Sequence, residues 1–401
     1  MQTQQLPNGM TVLIDRCSSP SIHLFLGLNA GSCEEKKSGL AHLVEHVTAH
    51  GHSAFYTSEG AREMRAGCYT NNASTDHHWT NYYAEISPSF FPSYLRFIGS
   101  AVFANTIDHV LFKREKKRVV EELFVPQGKE FCKISSLLFG EHHYGRYIAG
   151  TPAEVRTLTR EDAISFYDSW YVPNNRAILV LTGALPENVE QIVADSFPFP
   201  AKALPARNII SLTDKLQQQY VRDVLSPKET VIMTMAFPYP ALPNSNWAEA
   251  ALLHTALAAP PGHTSLLYQQ VSTRNALAYE LFAGRLMYGD LSYFVIRTRI
   301  QPQNEKKVMQ QIFSVFDQVK QKQPSLEQLA LLKEIHGYRC KKLDDTPIGR
   351  TDFLLKEYAY HLSYSDILAK IMAVTPEQIQ SLAQNYLPNR ETGKYVCCIT
   401  G

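Results

Sequence analysis

The sequence predicts an α+β architecture in two related domains, each a mostly antiparallel sheet packed with helices. Three observations predict it. The chain has 401 residues, more than one hydrophobic core ordinarily organises, and about 200 residues per domain is the natural division. Strand and helix patterns alternate without settling into a strict βαβ series. A proline-rich stretch near the middle separates two halves, and the pattern restarts after it.

Near the N-terminus, "PNGMTVLIDR" and "SIHLFLGLNAGS" read as strands closed by turn residues, and "SGLAHLVEHVTAH" has helical spacing. "TNYYAEI" alternates as a half-buried strand. "SFFPSYLRFIGSAVF", "HVLFKREKKRVVEELF" and "REDAISFYDSWY" carry helical periodicity, and "RAILVLTGAL" is a continuous apolar run of the kind buried on both faces. "FPFPAKALPARNII", residues 197–210, gathers proline and small residues as linkers do. The division is therefore residues 1–205, a linker at 206–219, and residues 220–401. In the second half "YVRDVLSPKETVIMTMAFPYPAL" gives strand, turn and strand. "NSNWAEAALLHTALAA" then places a helix where the first half has its histidine helix, the mark of a diverged duplication.

Composition narrows the function classes. Apolar residues are 45% and charged residues 19%, which suits a soluble globular chain with large cores. With 39 basic and 38 acidic residues, nothing argues for a nucleic-acid or anionic-membrane partner. The densest basic run, Lys113 to Arg118, is broken by Glu115 and reads as a solvated helix face. Seven scattered cysteines without a C-x-x-C indicate a reducing, cytoplasmic setting rather than a disulfide framework. No stretch is long and apolar enough for a membrane span, and no export signal is evident.

Chemistry concentrates in His42-Leu43-Val44-Glu45-His46. On a helix, residues four apart share a face with Cβ atoms about 6 Å apart, so His42 and His46 can chelate one Zn2+. Glu45 can reach a water at that metal without being a ligand, which is what a general base needs. The second half has no such pattern. A catalytic zinc takes three protein ligands, so a carboxylate from another helix is required. "REKKRVVEELF" offers Glu121 or Glu122, and spacing alone leaves both open.

These residues resemble the inverted-motif zinc peptidases of the insulinase, pitrilysin and mitochondrial-processing-peptidase group, the M16 family. In that family H-x-x-E-H is followed about 76 residues later by a glutamate ligand, itself seven residues after a second acidic residue. Glu122 lies 76 residues after His46 and seven after Glu115. The resemblance thus implies His42, His46 and Glu122 as metal ligands, Glu45 as catalytic base and Glu115 as the group orienting a ligand. It extends through "NNASTDHHWTNYYAEI", with Asn72, Ala73, Thr75, Thr80 and Tyr82 at matching places, through "YGRYIAGT", and through "YVPNNRAILVLTG". It implies a substrate peptide added as a strand near Asn72 and Ala73, and a chain forming one half of a clamshell.

The second half departs from the family pattern. The family carries an arginine and a tyrosine seven residues apart that bind substrate and stabilise the oxyanion. In "VSTRNALAYE" Tyr279 is present, but the position seven before it is Ser272, and an arginine stands only five before it, Arg274. Two residues along a strand are about 7 Å, so Arg274 replaces the missing group only with rearrangement. The resemblance implies a dimer, with a second copy or a different M16-like subunit supplying the arginine and tyrosine. The function expected is zinc-dependent endoproteolysis of unfolded peptides or a small leader peptide; the alternative is a non-catalytic or scaffold subunit of such a heterodimer.

Other residues invite different readings. His50 and His52 follow the metal helix and read as polar loop residues. His77 and His78 read as turn residues near the site, and His142 and His143 are discounted in the same way. Cys68 has no neighbour in sequence that would lower its pKa, so a thiol nucleophile is not expected. "PPGHTSLLYQQV" lacks the glycines and lysine of a phosphate loop and reads as a turn into a helix.

Overall fold

The computed structural model describes residues 1–124, 129–207, 219–224, 229–258 and 265–401, with backbone alone at Lys129 and Tyr279. Most of the linker expected at 206–219 therefore lies outside the described residues. The chain forms two compact units. One comprises Met1–Gln127, Arg146–Ser211 and Leu343–Lys356, the other Gly128–Gly145, Leu212–Lys342 and Glu357–Gly401. The units differ from a single cut at the linker because two segments cross over, one from each half.

In chain order the first half runs β1 (Gln2–Gln5), β2 (Thr11–Arg16), β3 (Ile22–Leu28), α1 (Leu40–Ala49), α2 (Ser58–Ala66), β4 (Thr70–Thr75), β5 (Thr80–Ile86), α3 (Phe91–Phe103), α4 (His109–Glu122), α5 (Lys129–Phe139), α6 (Pro152–Thr157), α7 (Arg160–Trp170), β6 (Ile178–Gly183) and α8 (Val189–Ser196). The six strands form one sheet in the order β1-β2-β6-β3-β5-β4. Only β2 and β6 are parallel, with Thr11 opposite Ile178. The alternation read in "TNYYAEI" is real: Thr80, Tyr82, Ala84 and Ile86 point inward while the residues between are half-buried. The apolar run of β6 is buried along its whole length. Leu179 and Leu181 join the main helical core on one face, and Ile178 and Val180 pack with Leu354 on the other.

The second half runs β7 (Gln219–Asp223), β8 (Val231–Pro238), α9 (Trp247–Ala258), α10 (Leu266–Tyr268), β9 (Ala278–Tyr288), β10 (Leu291–Ile300), α11 (Glu305–Gln321), α12 (Leu326–Asp344), α13 (Pro347–Tyr360), α14 (Tyr364–Ala373), α15 (Pro376–Tyr386) and β11 (Val396–Thr400). Its sheet has the order β7-β11-β8-β10-β9. Strand for strand this repeats β2-β6-β3-β5-β4, and again only the first pair, β7 with β11, is parallel. The expected duplication is thus present in topology, with α9 after β8 where α1 follows β3. Ser265 accepts a hydrogen bond from the Tyr268 N–H at 3.4 Å and starts α10, the helix expected after "PPGHTS".

Two helices, α1 and α4, carry the histidine motif and its candidate carboxylates. α1 buries Leu40, Leu43, Val44 and Val47 in the first core, and burying each such side chain stabilises by roughly 1.5–3 kcal/mol. Its start is fixed by Gly39, at φ +84°, where a Cβ would lie 2.7 Å from the Ala149 carbonyl oxygen. The Glu35 carboxylate accepts from the Gly39 and Ala41 N–H groups at 3.1 and 2.9 Å, a cap supplied from outside the helix. α4 starts at Asp108, whose side chain accepts from Val110 and Leu111 N–H at 2.8 and 2.9 Å. Leu111, Phe112 and Val119 anchor α4 in the core.

Candidate metal centre

The spacing of α1 and α4 brings three donors together. The rings of His42 and His46, one turn apart, have centroids 4.6 Å apart at 79°. Glu115 and Glu122 are two turns apart on α4, so both face α1. His46 Nε2 lies 3.4 Å from Glu122 Oε2, and His42, His46 and Glu122 each offer a ligand atom within 4.8 Å of the others. Glu121 points elsewhere, pairing with Lys117 at 3.6 Å across a largely exposed surface.

Glu45 is 6% exposed, with Oε2 4.0 Å from His42 Nε2 and accepting from Thr75 Oγ1 at 2.9 Å. Burial raises its pKa, opposed by His46 and by the Thr75 hydrogen bond. Burial also pushes His42 down to about 4, helped by its neighbour His46. Burial acts in the same direction on His46, but the carboxylates of Glu115 and Glu122 prevail and carry it up to about 9.

Glu115 is completely buried and is surrounded by four basic side chains. His46 Nδ1 is 3.7 Å away, His50 Nε2 3.0 Å, Arg114 Nε 2.8 Å and Arg118 Nη1 3.4 Å. Burial alone would raise its pKa; His46, His50 and Arg114 outweigh that and hold it well below the usual carboxylate range. Glu122 is also lowered, first by its contact with His46.

Two expectations need correction. His50 is not a plain loop residue: it stands at the C-terminus of α1, and its Nε2 lies 3.0 Å from both Glu115 Oε2 and Arg118 Nη1. Its signal was in the sequence, since His42, His46 and His50 are successive i, i+4 positions on one face. The run Lys113 to Arg118 is likewise more than a solvated face. Arg114 and Arg118 fold back on Glu115, and Lys116 Nζ donates to the Arg156 and Leu158 carbonyls at 2.9 Å.

A cavity of about 630 Å³ opens over these groups, walled by Asn71–Thr75 of β4, by Tyr94, Phe97 and Ile98 of α3, and by Arg65. β4 is the last strand of its sheet, so Asn72, exposed, and Ala73, half-buried, lie on an open edge. Tyr82, under the cavity, hydrogen-bonds Thr48 and, at 3.2 Å, Tyr171.

The remaining residues go elsewhere. His52 pairs with Asp108 at 2.9 Å, His77 bonds Ser32 at 3.1 Å, and His142 accepts from the Tyr144 N–H at 3.1 Å. Burial raises Cys68 to about 11, so its thiol is no nucleophile at neutral pH. Ser272 belongs to a π-helical turn, Gln269–Thr273, ending at an exposed Arg274 in the second unit. The Tyr279 side chain lies outside the described residues.

Comparison with known proteins places this geometry. The family profile "Insulinase (Peptidase family M16)" matches residues 11–151, and "Peptidase M16 inactive domain" matches residues 157–335. Proteins named uncharacterized zinc protease from Streptomyces coelicolor and Mycobacterium bovis are 23% and 22% identical, over 96% of this chain and 87% and 90% of theirs. A crystal structure of a protease from Helicobacter pylori superposes with a TM-score of 0.90 at 16% identity, covering 100% of this chain and 99% of that one. The M16 inactive domain structure from Pseudomonas fluorescens does so at 0.85 and 17%, covering 100% and 98%. With both halves matched by its profiles and the fold shared throughout, the chain belongs to peptidase family M16.

Proposed function

We propose that the chain is a zinc-dependent metalloendopeptidase cleaving unfolded peptides or a small leader peptide, acting as a dimer with an M16-like partner. The observation that carries this reading is the meeting of His42, His46 and Glu122 beside the buried, hydrogen-bonded carboxylate of Glu45. The donors suit zinc: two imidazoles and one carboxylate are the borderline set that zinc prefers at catalytic centres, leaving a position open. The 3.4 Å between His46 Nε2 and Glu122 Oε2 is about the edge of a tetrahedron with 2.0–2.2 Å bonds. The buried Nδ1 of His42 has no partner among the described residues, so no hydrogen bond there competes for the ring. Relatives carrying the name zinc protease agree with this choice.

Bound zinc would supply a Lewis acid that polarises a carbonyl and acidifies water. The chain's own residues do the rest. Glu45, with its pKa raised by burial, takes the proton of the attacking water and returns it to the leaving amine. Glu115 fixes the His46 ring through Nδ1 and, held ionised, makes it a better donor. The β4 edge at Asn72 and Ala73 receives the peptide as an added strand, whose backbone hydrogen bonds tolerate many sequences. Oxyanion stabilisation falls to Arg274 and Tyr279 or to an arginine and tyrosine of the partner. Cys17, Cys33, Cys68, Cys397 and Cys398 are free thiols, in keeping with a cytoplasmic setting, and among the described residues no helix is long and apolar enough to cross a membrane.

The alternative, a non-catalytic subunit, is favoured by Ser272 standing where the family has arginine. One experiment separates the two. Zinc content is measured, and a mixed pool of unfolded peptides is digested with the zinc-loaded chain and with Glu45→Gln. The peptidase reading expects about one zinc per chain in both, with cleavage lost by three orders of magnitude or more (~4 kcal/mol) in the variant. Cleavage retained in Glu45→Gln would refute the assignment, and no cleavage by either despite full zinc would make this chain the partner-dependent member of a pair.

A further inference from the structure

The cavity continues past the metal ligands along α1. There its wall is Ala49 and His50 at the helix end, Arg65 of α2, Arg118 of α4, and the rings of Tyr94 and Phe97. Arg65 is held in place, Nη1 donating to the carbonyls of Ala49 at 3.3 Å and His50 at 2.7 Å. It has no carboxylate partner among the described residues. Arg118 shares the single carboxylate of Glu115 with Arg114, His46 and His50. One negative charge therefore faces three guanidinium groups, while Glu45 and Glu122 are offset by the cation their site is built to hold. This end of the cavity carries unbalanced positive charge beside two aromatic walls.

Arg65 is also tied to the substrate edge. Its carbonyl accepts from Asn71 Nδ2 at 3.2 Å, and Asn71 precedes Asn72 on β4. A strand added to β4 presents alternate side chains to the same side, so every second residue of a bound peptide can face the arginines. Burial lowers the Arg65 pKa; Arg114 and Arg118 add to that lowering, while Tyr94 and Glu115 oppose it.

We infer that this end of the cavity is a subsite for an acidic side chain, with Arg65 and Arg118 binding a glutamate or aspartate flanking the scissile bond of the substrate peptide. The inference rests on the peptidase reading, and it assigns that enzyme a substrate class: extended peptides acidic near the cleavage point. A guanidinium pair, Arg65 half-buried and Arg118 exposed at the cavity mouth, with an aromatic wall to receive the methylenes of glutamate, suits a carboxylate better than an amide.

The test uses peptide pairs that differ only by Glu or Gln next to the cleaved bond. Affinity is read by fluorescence anisotropy on zinc-loaded Glu45→Gln, and kcat/KM is read on the unmodified chain. Both should favour Glu by about tenfold, the strength of one charge-assisted hydrogen bond, and the preference should shrink with added salt. Arg118→Gln should remove most of it, and Arg118→Glu should turn it toward a lysine-bearing peptide. Arg65→Gln should act likewise; because Arg65 also caps α1, Arg118 decides if that variant fails to fold. Equal binding of Glu and Gln peptides, a preference untouched by Arg118→Gln, or no peptide binding at all would overturn the subsite. Cleavage of both peptides at equal rates would leave the peptidase reading standing without the subsite. Selective binding of the acidic peptide without cleavage would uphold the subsite and make this chain the partner-dependent member of a pair.

Discussion

The two sheets have the same strand order and the same single parallel pair, yet the helices after β3 and β8 carry different chemistry. α1 turns His42, Glu45 and His46 into a cavity. α9, in the corresponding place, turns Trp247, Ala250, Leu252, Leu253 and Leu257 into a core, and its lone histidine, His254, packs 5.4 Å from the Phe294 ring. The first sheet has a partner helix, α4, that lays Glu115 and Glu122 against α1. Fold and chemistry have therefore separated within one chain: the scaffold was kept twice, while among the described residues the donor cluster stands on one copy.

The largest effect should come from breaking the copy with donors. His46→Ala removes one of the three proposed metal ligands and the ring proposed to be oriented by Glu115, so zinc content should fall below about a tenth per chain and cleavage by at least about a thousandfold. His254→Ala on the matching helix should leave zinc per folded chain unchanged, although it opens a core. Metal analysis of both variants after exhaustive dialysis decides; zinc retained in His46→Ala, or lost in His254→Ala, would reverse the division of labour.

A smaller effect is expected at Glu115. Glu115→Gln keeps the shape but leaves Arg114, Arg118 and His50 facing a neutral amide, and the His46 ring loses its anionic anchor. Zinc affinity should drop about 10–100-fold, with a lower melting temperature because a fully buried charge partner has gone. Competition with a chromophoric chelator measures the first and thermal unfolding the second. An unchanged affinity would mean that Glu115 serves the fold and not the metal.

These differences are partly legible in the sequence. Strands such as Thr80–Ile86 and Ile178–Gly183 announce themselves because a period of two, or an unbroken apolar run, has few other uses. His42, Glu45 and His46 are legible because a helix turns fixed sequence spacing into fixed geometry. Glu122 over Glu121 is not decidable from spacing, since two adjacent residues on one helix differ only by a 100° rotation, and core packing sets the phase. What stays hidden is contact between elements far apart in sequence. Thr75 on Glu45 and Arg118 on His50 each join residues whose meeting depends on how helices and strands dock. Leu343–Lys356 joining the first unit is the same kind of event: Leu354 covers β6, and Arg350 pairs with Asp15 at 2.6 Å, which no local pattern encodes.

The smallest effect tests what the two units share, a buried neutral histidine. His23 on β3 is 4% exposed, with Nδ1 2.9 Å from Thr351 Oγ1 and a buried Nε2 that has no partner among the described residues. His254 on α9 also buries an Nε2 without such a partner. Burial lowers the pKa of His23 to about 4 and, together with the charge of Arg285, that of His254 to about 4. Both values lie below the unfolded value of about 6.5, so between pH 6.5 and 4 the unfolded chain binds more protons than the folded one. Stability is then complete above about pH 6.5 and is lost as the pH falls toward 4. At pH 5 each histidine should cost roughly 2 kcal/mol relative to neutral pH. Urea unfolding with a chelator present, at pH 7 and pH 5, should therefore show a smaller acid loss in His23→Gln and in His254→Gln than in the parent chain. Because the rings lie in different units, the two savings should add in the double variant. Additivity would confirm two separate cores under one topology. A double variant no better than either single one would mean that acid unfolds the chain from one unit alone, and the symmetry of the sheets would not extend to their stability.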